Sequence, residues 1–273
     1  MALQKEIWLS DIIEGLFADN TFAARSLNHS AFVNNKTVHV PNAGTPPTVV
    51  KGRSKLPATA TKRTDSDLTY QIGEFTSDPI LIPNAEQVEL SYDKRQSIIR
   101  ACRSALLDAV HADLLLSWAQ AANNPVALTA DQKKDIKGLI LEIKESFDGA
   151  DIPQTGRCII LTPTMYNTLL RQLTEFEGQS FILSADAQKG IVGKLYSFDI
   201  YMRSNLGTAD TKSFDIIAWH EDSVSRALGA TDLFVDERSA LYYGDIISAL
   251  VRAGGAAVRH DKKGLYAGYT VKQ

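Results

Sequence analysis

The stretch AEQVELSYDKRQSIIRACRSALLDAVHADLLLSWAQAA, residues 85–122, decides how the rest of the chain is read. Val88 and Leu90 alternate with Glu89 and Ser91, the period of a half-buried strand. From Asp93 the period changes. Ile98, Cys102, Ala105, Ala109, Ala112 and Leu116 recur at steps of four, three, four, three and four, one helical face, which Ile99, Leu106 and Val110 widen. Asp93, or Ser91 before it, is placed to cap the first turn, and Asn123-Asn124-Pro125 to stop the last. No Gly or Pro interrupts the run, so the spacing predicts a helix roughly 40 Å long that spans its whole domain. Arg95, Arg103, Asp108 and Asp113 charge its polar face, and it lacks the apolar run of about 20 residues that a membrane crossing needs.

A chain of 273 residues is one large domain or two small ones, and 44% hydrophobic residues suffice for a packed core. A net charge of −3 argues against wrapping nucleic acid with the whole surface. Cys102 lies on an apolar helix face and Cys158 inside an apolar strand, the pattern of two reduced core thiols. The start, MALQKEIWLSDIIEGLF, carries acids and no apolar run of signal-peptide length, so the chain is expected to be cytoplasmic and unprocessed.

Residues 1–33 read as a short amphipathic helix followed by an arm. Ile7, Trp8, Ile12, Ile13, Leu16 and Phe17 form an apolar stripe that needs a partner surface, on this body or another. Residues 36–63 hold six bases (Lys36, Lys51, Arg53, Lys55, Lys62, Arg63), four prolines and no acid. Residues 64–93 hold seven acids and no base. Strand alternation at Thr37–Val40 and Leu68–Ile72 brackets this polar stretch, which predicts an extended hairpin projecting from the body. A flexible linker or a nucleic-acid arm are the alternatives, but Val38, Val40, Val49 and Ile72 have strand character and interleaved aromatics are lacking.

Asp78 to Pro83 is a short apolar strand between prolines. Thr129 caps a helix over Ala130–Phe147 that Asp148-Gly149 ends, with Ile136, Leu139, Ile140 and Ile143 as its stripe. Residues 157–162 read as a buried strand, Pro163 opens a helix running to Leu173, and Phe181–Gly193 reads as loop and turn. Strands follow at Tyr196–Arg203, Phe214–Trp219, Leu233–Val235, Asp245–Arg252, Ala256–Arg259 and Leu265–Val271, with turns at Gly254-Gly255 and Lys262-Lys263-Gly264.

Strand, Ser-Tyr-Asp-Lys-Arg and long helix, followed in order by RCIILTPTMYNTLL, GIVGKLYSFDIYMRSNL and YGDIISALVRAGGAAVRHDKKGLYAGY, resemble tailed-bacteriophage major capsid proteins of the Hong Kong 97 fold over nearly the whole chain. The resemblance implies an α+β fold: an N-terminal arm (1–33), an extended hairpin loop (34–79), a peripheral domain with a spine helix (80–150, helix 93–122), an axial domain (151–229) and return strands of the peripheral domain (230–273). It implies no enzyme and no cofactor. The expected function is a subunit that self-assembles into pentamers and hexamers of an icosahedral phage head enclosing double-stranded DNA. The virion is its place, host cytoplasm its site of assembly, and no membrane is involved. Lys51, Arg53, Lys55, Lys62 and Arg63 of the hairpin, and Trp8, Ile12 and Phe17 of the arm, are the expected inter-subunit contacts. A separate scaffolding protein, a portal and head-completion proteins are the implied partners. Some relatives join a hairpin Lys to a neighbour's Asn; Lys51, Lys55 and Lys62 occupy the matching region, but no Asn or activating acid matches. An encapsulin-like nanocompartment shell is the nearest alternative. An α/β enzyme with an unfamiliar site and a single-stranded nucleic-acid binder are the others.

Catalytic and metal-binding signals are sparse. His29, His39, His111, His220 and His260 have no second His or Cys at zinc-ligand spacing. His111 reads as a surface or satisfied histidine. His220-Glu221-Asp222 reads as a helix start whose acids suit the dipole. No dinucleotide fingerprint, P-loop or nucleophile elbow is present. The pairs Asp65/Asp67 and Glu175/Glu177 read as solvated carboxylates.

Overall fold

The computed structural model of the chain describes residues 20–42, 66–83, 94–122, 125–239, 241–259 and 261–272, with Ala18, residues 49–52, Ala60 and Lys62. The expected strand at Val88–Leu90, the helix caps Ser91 and Asp93, Asn123-Asn124, and the stripe of residues 7–17 lie outside the described residues. The strands in chain order are β1 Leu27–Asn28, β2 Val33–Asn34, β3 Thr37–Asn42, β4 Ser66–Gln71, β5 Gly73–Thr76, β6 Ile80–Pro83, β7 Val126–Ala127 and β8 Arg157–Leu161. They continue as β9 Gly193–Leu195, β10 Phe198–Met202, β11 Thr208–Ala209, β12 Lys212–His220, β13 Val224–Ser239, β14 Gly244–Ala257 and β15 Leu265–Val271. The helices are α1 Lys94–Ala121, α2 Ala130–Lys134, α3 Ile136–Gly149, α4 Pro163–Gln172 and α5 Glu175–Leu183.

Helix α1 has 28 residues and so runs about 42 Å. Its buried face is rotated from the expected one. Ile99, Cys102, Leu106, Val110, Leu114, Leu115, Trp118 and Ala119 point inward, while Ala105 and Ala109 are exposed. Both stripes are apolar, and the one with larger side chains removes more surface from water, about 25 cal/mol per Å².

Helix α1 serves two sheets. Leu106 and Val110 pack with Leu233, Ile247, Ala249 and Val251 of a five-stranded sheet ordered β1-β13-β14-β5, with β6 also on β14. Leu114, Leu115, Trp118 and Ala119 pack with Cys158, Ile160, Ile217 and Trp219 of a seven-stranded sheet. That sheet is ordered β7-β15-β12-β8-β10-β9, with β11 beside β12. Strand β8 lies inside it, parallel to β10 and antiparallel to β12. Every residue of Arg-Cys-Ile-Ile-Leu is buried, because α1 covers one face and α3, α4 and α5 the other. A strand covered on both faces favours an apolar run such as Cys158–Leu161.

Several expectations change. The helix expected over Ala130–Phe147 is two. Thr129 and Gln132 form a capping box for α2, and Asp135 starts α3 by accepting from the Gly138 amide at 2.9 Å. Residues 181–183 belong to α5 rather than a loop, because Thr174 and Glu177 cap that helix reciprocally. Gly254-Gly255 is no turn. Both residues sit within β14, which runs through the position of the expected separate strand at Ala256. A Cβ on Gly255 would stand 2.3 Å from Leu114 Cδ1 and 2.3 Å from the Ser225 carbonyl, so the glycine is where α1 comes closest. Strand β15 does not close the sheet of β13 and β14 but pairs with β12 in the seven-stranded sheet. Strand β13 begins at Val224 and runs through the expected boundary at residue 229.

The described end of the expected arm is docked on its own body. Phe22 is buried edge-on to His111, Trp118 and Trp219, and Ala23 has no exposure. Arg226 Nη1 donates to the carbonyls of Ala23 and Ser26 at 2.6 and 2.7 Å. Trp219 Nε1 donates to the Arg25 carbonyl at 2.8 Å. Aromatic burial and charge-assisted hydrogen bonds together hold residues 22–28 in place.

Candidate functional site

Chemistry is sparse among the described residues. No group of three or more His, Cys, Asp and Glu is arranged to hold a metal ion. Among the described residues no helix is long and apolar enough to cross a membrane, which says nothing of strand-built crossings. A cleft of about 500 Å³ lies between the start of α4 and strands β12 and β15, lined by Thr162, Ser213, Asp215 and Thr270 among others. Asp215 is its one carboxylate and accepts from the Thr270 hydroxyl. Hydroxyls line it, but no histidine is among its lining residues, so a Ser-His-Asp arrangement is not formed there.

The singled-out ionisable groups have structural partners. His111 is buried, not a surface group, with its Nδ1 3.3 Å from Arg203 Nη1. His220 Nδ1 accepts from the Asp222 amide at 3.2 Å, at the start of a single 3-10 turn over Glu221–Ser223. Cys102 and Cys158 are buried free thiols, and burial raises the Cys158 thiol well above its ordinary range. Glu177 is not simply solvated. Lys137 Nζ lies 2.7 Å away, and with the Thr174 amide and hydroxyl it holds the Glu177 carboxyl down at about 2. Asp67 is exposed, and Asp65 and His260 lie outside the described residues.

The surfaces that stand out are projections. Strands β2, β3 and β4 form a three-stranded sheet whose β3–β4 pairing runs from Thr37↔Gln71 to Asn42↔Ser66. Its base has a small core of Val38, Ile72 and Ala227. Glu74 fastens the base, bound by Arg252 Nε at 3.0 Å and Lys36 Nζ at 3.4 Å, and these cations lower its pKa. Beyond the paired strands, Val49 is 90% exposed, and Lys51 and Lys62 are also in water. Lys51-Gly52 is a turn in which only Gly52 has a positive φ, +66°. Lys51 and Lys62 are exposed, while Arg53, Lys55, Arg63, Trp8, Ile12 and Phe17 lie outside the described residues.

Two apolar projections carry no expectation from the sequence. Helix α5 holds Phe176 (82%), Ile182 (67%) and Leu183 (85%) in water, while Phe181 alone faces the core. The turn joining β13 to β14 exposes Leu241 (84%), Tyr242 (56%) and Tyr243 (80%). FEGQSFIL signals the first, being apolar on more than one side of a helix, and LYY between two long strands signals the second.

No protein-family model matches the sequence, and no curated protein matches it. Solved structures do. The capsid of the cyanophage P-SCSP1u is similar with a TM-score of 0.67 at 14% identity, over 91% of this chain and 87% of that one. A structure of Mycobacterium phage Che8 gives 0.62 at 21% identity, over 91% and 90%. The virus-like particle from Pyrococcus furiosus gives 0.60 at 10% identity, over 97% and 98%. At these identities the likeness is one of fold: an α+β architecture shared with phage capsid chains.

Proposed function

We propose that this chain is the major subunit of an icosahedral capsid shell, built from pentamers and hexamers by self-association. The observation that carries the reading is the exposure of large apolar side chains at separate projections, at Val49, at Phe176 and Leu183, and at Leu241 and Tyr243. Single exposed apolar residues are ordinary, but clusters of large ones such as those on α5 and at Leu241–Tyr243 mark interaction surfaces, and a shell made of many moderate interfaces covers them. The capsid-like fold supports the same reading. In it, the β3–β4 projection is the extended loop, α1 the spine, and the seven-stranded sheet the core of the axial domain. Packaged double-stranded DNA, a scaffolding protein, a portal and head-completion proteins are the partners that follow, and the virion is the place.

The contacts we assign are Lys51, Arg53, Lys55, Lys62 and Arg63 on the hairpin, docking against acidic surface of an adjacent copy, with Trp8, Ile12 and Phe17 as an apolar contact of the assembled shell. Negative-stain microscopy of the purified protein tests the shell reading; closed particles of uniform diameter are expected. Reversing the charges of Lys51, Arg53 and Lys55 together is expected to leave a folded monomer, and full-sized particles from that variant overturn the hairpin assignment. A nanocompartment shell is the second reading, favoured by the similarity to the Pyrococcus furiosus virus-like particle over 97% of this chain. Mass spectrometry of purified particles separates the two, nucleic acid for the first and a cargo protein for the second.

A further inference from the structure

Residues 27–34 join the hairpin sheet to the body. At one end β1 pairs with β13, Leu27↔Ser225 and Asn28↔Arg226, and at the other β2 pairs with β3, Val33↔Val38 and Asn34↔Thr37. Between these short pairings the His29 amide donates to the Arg226 carbonyl at 2.8 Å, and Ser30 Oγ accepts from the Leu228 amide at 2.9 Å. The His29 ring is only 7% exposed and lies 6.0 Å from the Phe32 ring and 6.5 Å from the Tyr70 ring of β4. Ser225 Oγ of β13 is 3.2 Å from the Tyr70 hydroxyl, so the ring sits where hairpin sheet, joint and body meet. Its Nδ1 is buried with no hydrogen-bond partner among the described residues.

We propose that His29 is a proton-operated latch of this joint: a proton taken from solvent onto the ring loosens residues 27–34 from β13, and with them the base of the hairpin sheet. An imidazolium carries N–H at both nitrogens, and among the described residues Nδ1–H finds no acceptor. A buried charge without a partner is costly, so the charged ring favours the open joint, where water solvates it. The Phe32 and Tyr70 rings stand at or beyond about 6 Å, the reach of a cation–π contact. Nearby ionisable groups do not compensate. Arg226 of β13 is itself a cation and turns to the Ala23 and Ser26 carbonyls, while Arg25, ahead of the joint, turns to Glu221. Lys36 and Arg252 at the hairpin base are bound by Glu74. Asp67 of β4 and His39 of β3 are exposed, and Asp67 lies three positions from Tyr70, about 10 Å along the strand. The first acid along β13, Asp232, is six positions past Arg226, about 20 Å away. Burial depresses the His29 pKa below 6.5, so the latch is closed above that pH and opens as pH falls below it. This goes beyond the shell reading and does not rest on it.

The test is hydrogen exchange read by mass spectrometry on the full chain, at concentrations where it is monomeric, from about pH 7.5 down to about pH 5, with each rate divided by that of a free amide at the same pH. Peptides covering 27–34 and 66–72 are expected to exchange faster as pH falls below 6.5, by up to about tenfold per pH unit, and to level off at the His29 midpoint read by NMR. Peptides of β8 and α3 are expected to keep their protection. His29→Phe and His29→Gln cannot take up this proton, and each is expected to hold exchange at 27–34 constant within about twofold over the same range. A wild-type rise under about twofold, a rise that does not level off at the His29 midpoint, the same rise in both variants, or a rise spread evenly over all peptides overturns the inference. The wild-type profile and the NMR midpoint decide it even where a variant fails to fold. Particle formation is not read, so failure here is distinct from failure of the shell reading.

Discussion

The Arg203 guanidinium, one residue past the end of β10, grips Asp108 on the long helix, its Nη2 donating to Asp108 Oδ1 and to the Asp108 backbone carbonyl, each at 3.1 Å. Its Nε donates to the Asn205 carbonyl at 3.0 Å, so one side chain ties the seven-stranded sheet to the middle of α1. The Arg203 side chain is largely buried, whereas that of Asp108 is mostly in water. The two ends of the pair are therefore unequal. Arg203→Met should lower unfolding free energy by about 1–2 kcal/mol, because one largely buried side chain loses its hydrogen bonds to Asp108 and Asn205 together, although those carbonyls face water. Asp108→Asn should cost under about 1 kcal/mol, as exposed ion pairs do. Urea denaturation of both variants measures the difference, and equal losses would contradict this account.

Gly255 is the position where α1 admits no side chain. A Cβ would meet Leu114 and the Ser225 carbonyl at 2.3 Å and Trp118 Nε1 at 3.0 Å. Trp118 Nε1 already donates to that same carbonyl at 3.0 Å. Gly255→Ala should thus destabilise by about 1–3 kcal/mol or more, through displacement of the helix rather than backbone strain. Gly149 ends α3 with open space around it, and Gly149→Ala is the matched control with little change expected. Thermal unfolding of the pair decides it.

The same glycine shows where reading the sequence stops. Gly-Gly is a local turn signal, but Gly255 answers to the close approach of a helix more than 100 positions earlier and Gly254 to that of Ile72, neither of which a local window contains. The bounds of β15, Leu265–Val271, are legible because apolar and polar residues alternate there. Its partner β12 is not, since pairing depends on long-range topology. The strand at Arg157–Leu161 is legible because burial on both faces leaves the apolar run Cys-Ile-Ile-Leu after its arginine. Choosing between the overlapping stripes of α1 required knowing that large side chains sit on one of them and alanines on the other. The hairpin is legible from its bracketed charge blocks. The exposed faces of α5 and of Leu241–Tyr243 leave a fainter signal, FEGQSFIL and LYY, because an apolar residue in sequence reads first as core.

Arg157 is buried in β8 with its guanidinium between the Phe147 and Phe198 rings, 5.7 Å from each centroid. It donates to the Pro153 carbonyl at 2.8 Å and to the Ile152 carbonyl, and Nη1 lies 2.7 Å from Asp148 Oδ1. Arg157→Met keeps the packing volume but strands two carbonyls, so a loss of at least about 2 kcal/mol is expected. Asp148→Asn leaves those carbonyls satisfied and should cost less. Guanidinium denaturation of the two variants gives the ordering.

Two pH windows follow from named groups. Lys137 and the Thr174 cap hold Glu177 at about 2, below its ordinary 4.5, so the folded state binds that proton later than the unfolded one. Its contribution is present above 4.5 and is lost as pH falls toward about 2. Burial depresses His29 below 6.5, and its Nδ1 has no hydrogen-bond partner among the described residues. The neutral ring is favoured in the fold, so stability falls as pH drops below 6.5. NMR titration should place the His29 midpoint under 6.5, and His29→Phe should remove the upper limb of the stability decline.

The turn at Leu241–Tyr243 is the sharpest separation between folding and assembly. Its side chains belong to no core cluster, and Leu241 gives up little buried area on change to Ser, whereas Tyr242, 56% exposed, gives up part of its covered ring. Surface changes of this kind stay within about 0.5 kcal/mol of wild type. If the turn is a contact between copies, desolvation of two large side chains is lost at every repeat of the shell, and small per-contact losses multiply around a closed assembly. Leu241→Ser with Tyr242→Ser is therefore expected to leave the thermal midpoint unchanged and to abolish particles in sedimentation velocity. Particles at wild-type yield would remove this turn from the interface while leaving the hairpin contacts standing. Loss of both stability and particles would mean instead that the turn supports the β13–β14 pairing at Ser239↔Gly244.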